Sequence, residues 1–175
     1  MTLGPGLRKL ALTAHVASSA GWLGAVAGFL ALAVAGLASR DPRTATAVYP
    51  AMELITIYVI VPLSLASLLT GIIQSLGTPW GLFRHYWVLI KLLLTGLATV
   101  VLVLQLGPIG YLGDAARGAA VSMADLRGLG TSMVIHAVGG LLVLLMTTVL
   151  SVYKPRGLTR YGQRKQHEQR KPLVP

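Results

Sequence analysis

The 175-residue chain contains no cysteine. Disulfides, thiolate metal sites, iron–sulfur clusters and covalent c-type haem attachment are excluded. A b-type haem, which needs only an imidazole or similar axial ligand, is not. Charge is nearly as scarce: 11% of residues are charged, against about 25% in an ordinary soluble domain. That leaves too little polar surface to coat a water-soluble particle. Acids are rarest, five against fifteen Lys and Arg, for a net charge of +10. No two acids lie close together as hydrolysis would require, and HExxH, GxSxG and P-loop patterns are missing. A hydrolytic enzyme is not expected.

What the chain has in quantity is apolar length. Hydrophobic residues make up 54% of it, and four long apolar segments fall at about 10–38, 47–75, 86–106 and 129–153. Each reaches the roughly 20 residues that cross ~30 Å of hydrocarbon. The pattern predicts an all-α, four-transmembrane-helix bundle at 1–155 with a basic tail at 156–175. The first segment follows Arg8 and Lys9 as a signal sequence would, but it is far longer than a signal's apolar core, so a retained helix is expected. Basic residues gather at one set of ends: Arg8 and Lys9, Arg84, then Lys154, Arg156, Arg160, Arg164, Lys165, Arg170 and Lys171. The other two loops carry Arg40, Arg43, Arg117 and Arg127, offset by Asp41, Asp114 and Asp125. The positive-inside rule then puts both termini in the cytoplasm of a bacterial plasma membrane. The basic tail has few aromatics to stack on bases, so anionic lipid headgroups are the expected partner rather than nucleic acid.

Local signals divide the chain further. Small residues at Ala17, Gly21 and Ala25, and at Gly24 and Gly28, suit close helix packing. Pro62 predicts a kink in the second span. In SLGTPWGLFRHYW, Thr78–Pro79 predicts a turn, and Trp80, Tyr86 and Trp87 suit the interfacial belt. Gly107, Pro108 and Gly110 predict the end of the third span. A loop then runs from Tyr111 to Gly128, with room for a short helix capped at Ser122, and the tail after Pro155 reads as flexible.

Polar groups inside the spans carry the functional argument, because such groups are costly in hydrocarbon. They form two layers. An inner layer holds His15 and Lys91, with Thr70, Gln74, Thr147, Thr148 and Ser151 in reach; Lys91 has either an internal role or a snorkelling one. An outer layer holds Glu53 and His136, with Met52 and Met133 nearby. Imidazole, carboxylate and thioether groups suit copper, and either histidine suits haem iron. Plain hydrogen bonding of His136 is the bland alternative. Ser18 and Ser19, and Gly139 and Gly140, sit three and four residues beyond the two histidines and leave room for a flat macrocycle or a second backbone. The two rings are expected ~20 Å apart along the membrane normal, so they cannot clamp one iron. His85 is a second ligand candidate or a propionate partner beside Arg84, or simply an interfacial residue.

These residues give the chain a resemblance to a group of bacterial four-helix integral membrane proteins. It rests on LTAHVASSAGWLGAV, SLGTPWGLFRHYWVLIKLLLT, the His136 region and SVYKPRGLTRYG. More loosely the chain is similar to the membrane domain of CopD-type copper-resistance proteins. That wider likeness, and the likeness to b-type membrane cytochromes, implies haem or copper at intramembrane histidines. The cytochromes pair two histidines per haem, whereas the outer layer here has only His136. The leading expectation is b-type haem binding for electron transfer or haem handling, with His15 and His136 as axial candidates and Arg84, His85 and Lys91 as propionate partners. Copper, cation or proton coupling is the alternative, with Glu53 and His136 beside Met52 and Met133 as an outer site, His15 with Lys91 as an inner one, and an oligomer expected for transport. A cofactor-free scaffold or accessory subunit is the third.

Overall fold

The computed structural model describes residues 3–77, 81–118, 123–155 and 157–170. Within them the chain is helical, in the order α1 (Pro5–Ala38), α2 (Pro42–Ile55), a π-helical turn (Thr56–Ile60), α3 (Val61–Gly77), α4 (Tyr86–Ala116), α5 (Met123–Tyr153) and α6 (Arg160–Arg170). Four stretches are long and apolar enough to cross a membrane: Pro5–Ala38, Ala47–Gly77, Tyr86–Ala116 and Arg127–Tyr153. The expected Thr78–Pro79 turn, Trp80, the Ser122 cap, Arg156 and Lys171 lie outside the described residues.

α1 is the central helix, packed against the second span and α5. Its buried residues are Ser18, Trp22, Ala25, Val26, Phe29, Ala33 and Gly36. Their steps of three and four residues draw one seam along the helix. Only part of the expected small-residue ridge serves packing. Gly21 faces Leu63 and Gly28 touches Ile55, whereas Gly24 has no such neighbour; outside that ridge, at Gly36, the Tyr49 ring comes within 3.0 Å of where a Cβ would stand. Met52, Leu112 and Met133, each 1% exposed, complete the core. Large apolar side chains such as Leu93 and Leu104, 71% and 72% exposed, cover the outside. Small polar residues lie inside and donate to their own helix: Thr56 to the Met52 carbonyl at 2.7 Å, Ser64 to Val61 at 2.8 Å, Thr147 to Leu144 at 2.9 Å. An apolar exterior over hydroxyl-bearing contacts suits a lipid solvent, in which every polar group needs an internal partner.

Proline acts differently at its two expected positions. Pro62 has no N–H and its ring crowds the preceding turn. The helix answers just upstream by opening one turn, Thr56–Ile60, so that the Val61 N–H reaches back to the Thr56 carbonyl. Pro108 does not end the third span, contrary to the sequence expectation; α4 runs on to Ala116. Ile109 and Leu112, 4% and 1% exposed, are buried beyond it. Tertiary burial thus outweighs the lost hydrogen bond. The loop expected at 111–128 shrinks accordingly, because α5 reaches back to Met123.

The tail is not simply flexible. After Tyr153 it folds over the connection between the second and third spans. The Thr159 N–H donates to the Arg84 carbonyl at 3.0 Å, and the Tyr86 N–H to the Gly157 carbonyl at 3.3 Å. Buried Thr159 also donates its hydroxyl to the Phe83 carbonyl at 2.5 Å and accepts from the Gly162 N–H at 3.0 Å. The backbone of Arg84 occupies the place a Cβ on residue 162 would need, so glycine is required there. This clasp joins two of the segments, FRHYW and KPRGLTRYG, that stood out in the sequence.

Candidate functional site

A cavity of about 840 Å³ opens among α1, α3, α4 and α5 at the end of the bundle that carries the basic residues. That is within the ~300–1,000 Å³ usual for small-molecule sites. Arg8, Lys9, Lys91 and Lys154 line it, with His15 and a set of hydroxyl and amide side chains. No Asp or Glu is among its lining residues.

His15 sits on the wall of this cavity. Its Nδ1 lies 3.1 Å from the Ser67 carbonyl oxygen and 3.2 Å from Thr70 Oγ1. A carbonyl only accepts, so in the neutral ring Nδ1 carries the hydrogen and Nε2 keeps its lone pair. Nε2 takes no hydrogen bond from the described residues. The ring lies over Gly71, where an added Cβ would come within 3.1 Å of Cε1. Ser18 donates to the His15 carbonyl at 3.2 Å, and Ser19, which lines the cavity, bonds Ser67 at 2.8 Å. Ser67 and Gly71 are the partners that sequence reasoning missed. Their pairing with His15 is a long-range contact between helices that no local spacing encodes.

Lys91 is part of the same wall. Its Nζ donates to Ser151 Oγ on α5, and it stands 5.8 Å from the centroid of the Trp87 ring, inside cation–π range. The ammonium is thus held by neighbouring side chains on the cavity side. Arg84 and His85, expected beside it, do not line the cavity. They belong to the clasp, where His85 pairs with Leu158 in a single antiparallel bridge and its ring stands 6.3 Å from Trp87.

The outer layer is not brought together. Glu53 turns to α4, where Gly110 and Gly113 give its carboxylate room, and it pairs with Arg117 at 2.5 Å. Arg117 also reaches Asp114 at 2.9 Å. The Glu53 hydrogen bond, foremost, with the charges of Glu53 and Asp114 raises the Arg117 pKa further above its ordinary value. No hydrogen bond or ion pair joins His136 to Glu53; the His136 Nδ1 lies 2.8 Å from the Ser132 carbonyl oxygen of its own helix. Met52 and Met133 are both buried, and of the two only Met133 borders the cavity that His136 also lines. Among the described residues, no three His, Asp or Glu side chains gather where they could hold a metal ion.

His136 instead edges a second, apolar cavity of about 310 Å³ between α4 and α5. Gln105, from α4, lines it too; sequence reasoning passed it over because the third span was expected to stop one residue later. Trp22 and Leu144 line both cavities and stand between them. The chain matches no family model, no curated protein and no solved structure.

Proposed function

We propose that this is a multi-pass plasma-membrane protein, both termini cytoplasmic, that binds an amphiphilic anion in the basic cavity. The observation that carries the reading is a cavity lined by four cationic side chains and an imidazole with no lining carboxylate. Like charges gathered in a partly dehydrated space repel one another. An anionic headgroup relieves that repulsion and accepts charge-assisted hydrogen bonds from Lys91, Arg8 and Lys9. Thr147, Thr148 and Ser151 line the cavity with hydroxyls already donated to carbonyls of their own helix, so the cations carry the recognition, and apolar side chains such as Leu12, Leu68 and Leu92 suit the rest of an amphiphile. The positive-inside rule places this end toward the cytoplasm. The α6 helix, with Arg160, Arg164 and Lys165 exposed, suits contact with anionic headgroups there.

A second reading makes the amphiphile haem b, with His15 as axial ligand. The anchoring of Nδ1 on a backbone carbonyl favours it, since metal-binding imidazoles are oriented in this way by the nitrogen that does not bind. Lys91, Arg8 and Lys9 would meet the propionates. Bound there, haem would supply one-electron chemistry or be held for transfer.

The test uses the full chain in nanodiscs of phosphatidylcholine. Dodecyl phosphate, followed by phosphorus NMR, is expected to bind saturably, and Lys91→Ala to weaken it at least tenfold. Haem added to the same sample is expected to give a Soret band that His15→Leu shifts, if the second reading holds. Absence of saturable binding by both probes overturns the proposal. Dodecyl phosphate binding without a His15-dependent Soret band removes only the haem version.

A further inference from the structure

We infer that the groove between α4 and α5 is a separate site for a lipid-soluble aromatic alcohol of the alkylhydroquinone class. The groove has about 310 Å³, the lower bound of small-molecule sites. Its lining is apolar except for the indole N–H of Trp22 and three polar side chains, Thr56, Gln105 and His136. Thr56 already donates to the Met52 carbonyl at 2.7 Å. The other two come from facing helices at similar depth. Gln105 is eleven residues from the Ala116 end of α4, and His136 thirteen from the Met123 start of α5, so they sit roughly 17 and 20 Å from those helix ends.

Their hydrogen-bonding capacity identifies the occupant. In the neutral ring, His136 Nδ1 donates to the Ser132 carbonyl at 2.8 Å, so Nε2 accepts. A ligand must therefore offer a donor to His136. The Gln105 amide takes either role, and no described residue bonds it or Nε2. An acyl chain lying in the groove would satisfy neither group, and unsatisfied polar groups in hydrocarbon are costly. A hydroquinone fits both. One hydroxyl donates to Nε2, the second oxygen meets the Gln105 amide, and the ring lies against Trp22 and Phe29. Its alkyl chain leaves for the bilayer past Gly139, which is exposed and has nothing within 4 Å of a built Cβ.

The full chain, labelled with nitrogen-15 histidine, is titrated with decylhydroquinone under reducing conditions in phosphatidylcholine nanodiscs. The Nε2 resonance that His136→Leu removes is expected to shift saturably, as it would on accepting a hydrogen bond. Decylbenzene, which lacks hydroxyls, should not move it. Gln105→Leu should weaken binding about tenfold, the loss expected for one buried hydrogen bond, and His136→Gln should restore part of the affinity that His136→Leu loses, read by displacement of spin-labelled decylhydroquinone. Lys91→Ala should leave all of this unchanged, which separates this site from the basic cavity. An equal shift with decylbenzene overturns the inference. So does an unmoved resonance. So does a His136→Leu protein that loses a cross-linked dimer while wild type ignores hydroquinone, for then a second copy covers the groove.

Discussion

The two ends of the bundle handle charge in opposite ways. At the far end Glu53, Arg117 and Asp114 form a closed set in which each carboxylate meets the same guanidinium. At the basic end four cations share one cavity that no carboxylate lines. The far arrangement needs nothing from outside. In the proposed reading, an anion completes the basic arrangement. The lesson is that the cost of a charge near hydrocarbon can be met within the chain or by a ligand, and only the second leaves a binding function behind.

The comparison can be broken or sharpened in four ways, from the largest effect to the smallest. Reversing charge in the cavity, Lys91→Glu, is expected to reduce dodecyl phosphate affinity by about a hundredfold, since a charged hydrogen bond is lost and a repulsion added. Equilibrium titration of nanodisc samples reads it. An unchanged affinity would mean that the basic end is as self-contained as the far one. Next, Gly162→Val drives a side chain into the Arg84 backbone and should destabilise the clasp by about 2–3 kcal/mol. Thermal unfolding in detergent, followed by circular dichroism, checks it.

Thr159→Val keeps the shape but leaves the Phe83 carbonyl and the Gly162 N–H without the hydroxyl they share. A loss of about 1–2 kcal/mol is expected, with dodecyl phosphate affinity intact, because Thr159 does not line the cavity. Coupled loss of both would show that the clasp shapes the site. The smallest effect is expected at the far end. Glu53→Gln should leave the unfolding midpoint unresolved from wild type, since Arg117 is half exposed, at 48%, and such ion pairs contribute little. A large shift there would erase the contrast between the ends.

The spans, their number and their order were legible because apolar length is a local property. Ends were less so. Gly107, Pro108 and Gly110 read as a stop, yet burial of Ile109 and Leu112 carried α4 onward. The tail read as flexible from its polarity, while Thr159 and Gly162 tie its first residues to Phe83 and Arg84. At the site, His15 and Lys91 were visible as costly groups in apolar runs. Gly71 and Ser67 were not, since a glycine or serine in a membrane helix has many packing uses.

Composition and hydropathy by themselves determined that this chain forms four helices long and apolar enough to cross a membrane, with most of its positive charge at one end. Those features follow from the solvation of each segment separately, so no neighbour has to be known. The tertiary structure alone decided which polar groups meet. It sent Glu53 to Arg117 rather than His136, turned His15 onto Gly71, drew Arg84 and His85 into the clasp, and set His136 and Gln105 in the lining of one groove. Such pairings depend on helix rotation and register across distant parts of the chain, and these are set by the packing of all four spans at once.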